Sequence, residues 1–161
     1  MKINSLGKSI ISVLTCLGAA LLGSAFTTPS IANWYAFLEK PSFSPPNWLF
    51  APAWTILFIM MGIALSLIWQ KGFKKNTALK AKQAIIIFFI QLALNVAWSF
   101  FFFYYHSPFL ALVDIIILWL FILLTLIKFW KINKVAGGLL IPYLLWVSFA
   151  SFLNYTIYRL N

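Results

Sequence analysis

Apolar residues along this chain gather into five long runs, at about 6–26, 48–70, 84–105, 109–130 and 136–157, parted by short polar breaks. Each run is about 20 residues, the length a helix needs to cross ~30 Å of hydrocarbon. The pattern predicts an all-α fold: an integral membrane bundle of five transmembrane helices, forming a single domain over 1–161. Residues 27–47 are expected to form a lid loop. Lys40-Pro41 and Ser44-Pro45-Pro46 hold that loop away from helix, because proline fixes φ, lacks an N–H and restricts the residue before it. Pro108, after the short break at His106-Ser107, suits the first position of the fourth helix. The basic links 71–83 and 131–138 are read as loops.

Composition agrees with the bilayer as solvent. The chain is 63% hydrophobic and 9% charged, against about 25% charged in soluble domains. A net charge of +10 raises nucleic acid as a partner, but the lysines sit between apolar runs and form no basic patch beside aromatics. No nucleic-acid partner is expected. With five crossings, the N-terminus and the links near 71–83 and 131–135 share one side. That side holds ten basic residues: Lys2, Lys8, Lys71, Lys74, Lys75, Lys80, Lys82, Lys128, Lys131 and Lys134. The other side holds Lys40 and Arg159. The positive-inside rule then puts the N-terminus in the cytoplasm and the C-terminus outside. The Ile, Lys and Phe bias of the compact chain fits a bacterial cell membrane. A cleaved signal peptide is the competing reading of the first run, from Lys2 and Lys8, the apolar core and the small residues near Ser24 and Ala25.

Candidate chemistry is sparse. One Cys and one His do not supply the ligand cluster a metal site needs, no Ser/His/Asp set or carboxylate pair is visible, and no resident cofactor is expected. The informative residues are tryptophans. Trp34, Trp48, Trp69 and Trp130 fall near expected interfaces, where an aromatic belt accounts for them. Trp54, Trp98 and Trp146 fall inside helices. Gln91, Asn95, Trp98 and Phe102 share one helical face. Tyr143, Trp146, Ala150 and Leu153 share another, and Trp54, Phe58, Met61 and Leu65 a third. Buried amides are costly in lipid, so Gln91 and Asn95 should face the bundle interior, as ligand contacts or as bonds between helices. Aromatic walls with a few polar groups describe a small-molecule pocket, and flat indoles suit a flat apolar ligand. Asp114 is the one intramembrane acid, structural or functional on equal grounds. The small residues Ser12, Cys16, Ala20 and Ser24 on helix one, and Gly62 and Ser66 on helix two, are candidate faces for helix association. Leu153, Tyr155 and Arg159 match a loose sterol pattern that many helix ends share.

Five segments in order, WYAFLEKPSFSPP, PAWTILFIMMG, QLALNVAWSFFFF, ALVD and PYLLWVSFASFLNY, resemble the TspO/translocator protein family, also called tryptophan-rich sensory proteins or peripheral-type benzodiazepine receptors. The resemblance covers about 34–159; the first helix matches in character only. It implies a five-helix bundle, usually a homodimer, that binds protoporphyrin-type tetrapyrroles, haem-like porphyrins and, in animals, sterol. The ligand-binding residues it implies are Tyr35, Pro45, Trp54, Asn95, Trp98, Trp146, Ala150 and Leu153. Phe43 departs from the Trp usual in the KPxWxPP motif, keeping an aromatic plug but losing an N–H. The expected function is a membrane receptor or sensor of porphyrins and related apolar ligands that regulates tetrapyrrole or stress state. A transporter of porphyrin or sterol, and a porphyrin-degrading enzyme acting in light with Trp54 and Trp146 implicated, are the alternatives.

Overall fold

The computed structural model describes residues 4–71 and 77–161, and Lys2, Lys74 and Lys75 of the charge count lie outside them. The elements are α1 (Ser5–Asn33), a 3-10 turn (Tyr35–Phe37), α2 (Asn47–Lys71), α3 (Ala78–Ser99) running into a π-helical turn (Phe100–Tyr104), α4 (Pro108–Ile132), the short α5 (Lys134–Gly138) and α6 (Ile141–Leu160). Among the described residues, five helical spans are long and apolar enough to cross a membrane, with α3 and its π turn forming one and α5 with α6 another. The expected all-α membrane bundle is the fold observed.

Three boundaries differ from the sequence reading. First, α1 runs through Pro29 to Asn33 instead of ending near 26. Proline is tolerated in membrane helices where neighbours satisfy the freed backbone. Here the Ser30 hydroxyl ties that last turn to the Phe103 carbonyl at 2.6 Å, and the Trp34 N–H bonds Ser30 O. Second, α3 starts at Ala78, so Lys80 and Lys82 belong to a helix and not to a loop. Lys, Gln and Ala are strong helix formers, and charge there marks the water side of the helix without ending it. Third, 134–138 is helical. Asn133 Oδ1 caps it by accepting from the Val135 N–H at 3.1 Å. Gly137 allows the approach to α4, since a Cβ there would stand 2.7 Å from Trp130 Cα.

Around the bundle, α1 packs between α2 and α3, α4 packs between α3 and α6, and α5 meets α2. Ser5 Oγ donates to Gln70 Oε1 at 2.6 Å, and Lys8 Nζ lies 5.9 Å from the Trp69 ring centroid. These contacts pin the start of α1 to the end of α2. Most of the small residues flagged for helix association are used within the chain. On α1, Ser12 and Cys16 are buried, as are their neighbours Ala19 and Gly23, whereas Ala20 is half-buried and Ser24 exposed, and both line the bundle's cavity. A Cβ on Gly62 would stand 2.6 Å from Val13 Cα, and Ser66 takes a bond from Ser9 Oγ at 3.4 Å. Close helix approach is what small residues permit, and here the partner is the chain's own neighbouring helix.

Candidate ligand-binding site

Near the Tyr35 end of the bundle lies a cavity of about 590 Å³, within the range of small-molecule sites. Tyr35, Trp54, Asn95, Trp98, Trp146, Ala150 and Leu153 all line it; Pro45 does not. Helical spacing thus converges from α2, α3 and α6 on one space. α2 and α6 meet there through rings. The Trp54 and Trp146 indoles stand edge to face at 6.4 Å, Phe50 meets Trp146 at 6.1 Å, and Trp54 meets Tyr143 at 6.3 Å. Such edge-to-face pairs match the quadrupoles of the rings.

The polar groups are placed by a buried relay. Tyr143, fully buried, accepts from Asn95 Nδ2 at 2.8 Å and donates to Gln91 Oε1 at 2.9 Å. Gln91 Nε2 ends the relay on the Met61 sulfur at 3.9 Å. Gln91 is therefore a bond between helices and lies outside the cavity lining. Asn95 is 6% exposed and lines the cavity, and among the described residues its Oδ1 takes no hydrogen bond. Trp98 stacks on Phe102 at 5.2 Å and gives its N–H to Asn154 Oδ1 at 2.9 Å. Asn154 Nδ2 in turn donates to Pro108 O at 2.9 Å, which fixes α3, α4 and α6 together. The Trp146 Nε1 atom is buried with no hydrogen-bond partner among the described residues.

Two groups of lining residues escape the sequence reading. Asn154 lies four residues beyond Ala150 on the same face, and the rule that flags Gln91 and Asn95 applies equally to it. The hydroxyls of Ser24, Thr27 and Thr28 on α1, with Thr55 on α2, form another wall. Their only signal is a polar cluster at the end of an apolar run, which resembles a helix terminus.

The proline loop behaves differently from a plug. Tyr35 and Asn47 line the cavity, but residues 36–46 are not part of the lining. Phe43 instead stacks on Phe152 at 5.3 Å and meets Phe149 edge-on at 6.4 Å, outside the cavity on α6. The loop backbone is clasped by Asn161, which accepts from the Glu39 N–H at 3.0 Å and donates to Glu39 O at 3.0 Å. Lys40 Nζ bonds Leu38 O at 3.0 Å and sits 4.8 Å from the Tyr35 ring centroid. Burial pushes the Tyr35 phenol above its ordinary range, with Ser44 pulling it partly back, so Tyr35 is a neutral phenol at physiological pH.

Other flagged residues lie elsewhere. His106 adopts a left-handed φ of 53°, stacks on Trp34 at 4.6 Å and is a turn residue. Asp114 is 5% exposed on the buried face of α4, outside the cavity lining, and its Oδ2 takes no hydrogen bond among the described residues. The remaining tryptophan, Trp119 in mid-α4, donates to Ser148 Oγ of α6 at 2.7 Å and so serves packing between helices. Leu153 points into the cavity while Tyr155 is 46% exposed, so the loose sterol pattern does not form one surface.

Comparison with known proteins places the chain among named relatives. The chain is 50% identical to the tryptophan-rich protein TspO of Chlorobaculum tepidum, over 97% of this chain and 99% of the relative. It is 34% identical to a tryptophan-rich sensory protein of Cereibacter sphaeroides, over 94% and 90% of the two chains. It is 36% identical to the human translocator protein, over 87% and 82%. The family model described as TspO/MBR matches residues 12–159, a stretch that takes in most of α1 as well as the five motifs, and the chain belongs to the TspO/MBR family.

Proposed function

We propose that this protein is a membrane receptor for porphyrin-type tetrapyrroles and related flat apolar ligands, held in the tryptophan-lined cavity. Family membership supports a membrane sensor or receptor role. The observation that carries the finer reading is the convergence of Trp54, Trp98 and Trp146 with Asn95 on one space of about 590 Å³. Indole faces stack on a conjugated ring, and Asn95 Oδ1 offers one directional contact. Regulation requires that ligand bind one state better than another. The 38–46 loop, clasped to α6 by Asn161, is the element whose position a ligand would bias. Sterol is a further candidate ligand of the same apolar cavity, and a homodimer remains the proposed assembly. We place the N-terminus in the cytoplasm. The described lysines Lys8, Lys71, Lys80, Lys82, Lys128, Lys131 and Lys134 cluster at one end, against Lys40 and Arg159 at the other.

The test is protoporphyrin IX binding in detergent, read by tryptophan quenching, for the wild type and the Trp54→Ala, Trp146→Ala double variant. Saturable binding lost in a folded double variant supports the reading. Equal quenching in both proteins means that porphyrin partitions into the micelle, and the cavity reading fails.

A further inference from the structure

Trp54, Trp98 and Trp146 all line the cavity, but their rings are held in different ways. Trp54 and Trp146 meet each other and the rings of Phe50, Phe58 and Tyr143. Neither of these two indoles makes a hydrogen bond with a described residue. Ring pairs are satisfied by a range of tilts, from offset-stacked to edge-to-face. Trp98 differs: its Nε1–H donates to Asn154 Oδ1 at 2.9 Å, and a hydrogen bond has a preferred direction. Phe102 stacks on the Trp98 ring at 5.2 Å and Phe103 meets it edge-on at 5.9 Å. Packing still leaves slack beside the ring. Trp98 borders a second void of about 10 Å³, lined also by Ile115, Leu118 and Val147, which is room for about one water-sized sphere. The hydrogen bond is therefore what selects one tilt of this indole.

The Asn154 amide has one orientation that satisfies its partners. The residue is 1% exposed, and its Nδ2 donates to Pro108 O, at the start of α4, at 2.9 Å. A carbonyl only accepts and an indole N–H only donates. With the amide nitrogen on Pro108 O, the amide oxygen has to face Trp98; a flipped amide would set donor against donor and acceptor against acceptor. Asn154 also lines the cavity, but its Oδ1 and Nδ2 both hold partners within the protein.

We propose that Asn154 is a positioning residue of the cavity: anchored on Pro108 O, it sets the plane of Trp98 and through that plane the orientation in which a flat ligand stacks. This rests on the reading of the cavity as the ligand site, and it names the residue that orients the ligand there.

The experiment is a double-mutant cycle on the full chain in one detergent: wild type, Asn154→Leu, Trp98→Phe and the two together, with the Trp54→Ala, Trp146→Ala protein as the micelle blank. The probe is protoporphyrin IX. It is read by affinity and by the circular dichroism induced in its Soret band, because an achiral ring gains ellipticity only when a chiral site fixes its orientation. In the wild-type background Asn154→Leu should weaken binding roughly three- to tenfold and change the Soret signal. In the Trp98→Phe background the same substitution should alter neither, since no indole N–H is left to position; such non-additivity marks a coupled pair. The thermal midpoint falls with the Pro108 bond whether or not the inference holds, so it is not the deciding readout. Equal losses of affinity in the two backgrounds overturn the inference. A bound porphyrin that keeps the wild-type Soret signal in Asn154→Leu overturns it whatever the cycle shows, and Asn154 is then a structural link only. Should Asn154→Leu fail to fold, Asn154→Ser takes its place: the hydroxyl ends one bond short of either amide atom, and the same pattern is expected. Saturable wild-type binding keeps the receptor reading standing when the inference fails. If the wild type shows no saturable binding above the micelle blank, the receptor reading falls and this inference with it.

Discussion

Asn95 Nδ2 donates to the Tyr143 hydroxyl at 2.8 Å, from near the end of α3 to the start of α6, and that hydroxyl spends its own proton on Gln91. One phenol oxygen thus satisfies two buried amides and fixes which way the Asn95 amide turns. Removing the oxygen leaves two polar groups unpaired in a dry interior. Tyr143→Phe is expected to lower stability by about 1–2 kcal/mol, read as a lower thermal midpoint in detergent. It also frees the Asn95 amide to rotate, so ligand affinity should fall although Tyr143 is not a lining residue. An unchanged midpoint would mean that the relay contributes nothing.

Gly62 and Val13 test where the small residues are used. A side chain at Gly62 meets the Val13 backbone at 2.6 Å, and backbone cannot swing aside. Gly62→Val should force α1 from α2 and destabilise the protein by roughly 1–3 kcal/mol or more, the cost of overpacking. The same change at a face between two copies would alter the oligomeric state and leave the thermal midpoint of the monomer intact. Size-exclusion chromatography with light scattering, run beside thermal unfolding, separates these outcomes.

How far the sequence carried the fold and the site follows from what each signal measures. Hydrophobic run length reports the solvent, so the five spans were legible. It cannot report where a helix stops once it leaves the hydrocarbon, which is why α1 extends through Pro29 and α3 begins before its apolar run. Helical spacing reports which residues share a face, and it brought Trp54, Asn95, Trp98 and Trp146 to one cavity. It does not say which partner that face meets. Gln91 shares the face of Asn95 yet ends on Tyr143 and Met61, one turn away from the cavity. Phe43 reads as a plug from its motif, but its ring lies on Phe152, a contact more than a hundred residues away in sequence.

The charge asymmetry predicts an orientation that chemistry can read. Cys16 is fully buried, so the wild type should stay blank toward a membrane-impermeant maleimide. A cysteine at Ser42, in the exposed part of the proline loop, should label in intact cells. A cysteine at Lys134, at the start of α5, should label only after the membrane is opened. The opposite pattern would invert the assignment made from the lysines.

The clasp between Asn161 and Glu39 should govern how fast ligand leaves. Two hydrogen bonds of 3.0 Å hold the loop backbone to the end of α6, and the Asn161 amide is itself steadied by Ile157 O at 2.9 Å. Neither Glu39 nor Asn161 lines the cavity, so the clasp touches ligand only through the position of the loop. Asn161→Ala removes both bonds. Each net bond is worth about 1 kcal/mol, so dissociation should quicken by up to roughly thirtyfold, together with faster amide exchange at residues 38–40. Asn161→Asp keeps an acceptor for the Glu39 N–H and loses the donor to Glu39 O, and it should fall between. Stopped-flow release of porphyrin from the three proteins gives the order. If release is equal in all three, the loop does not limit exit and the clasp has no part in holding the ligand.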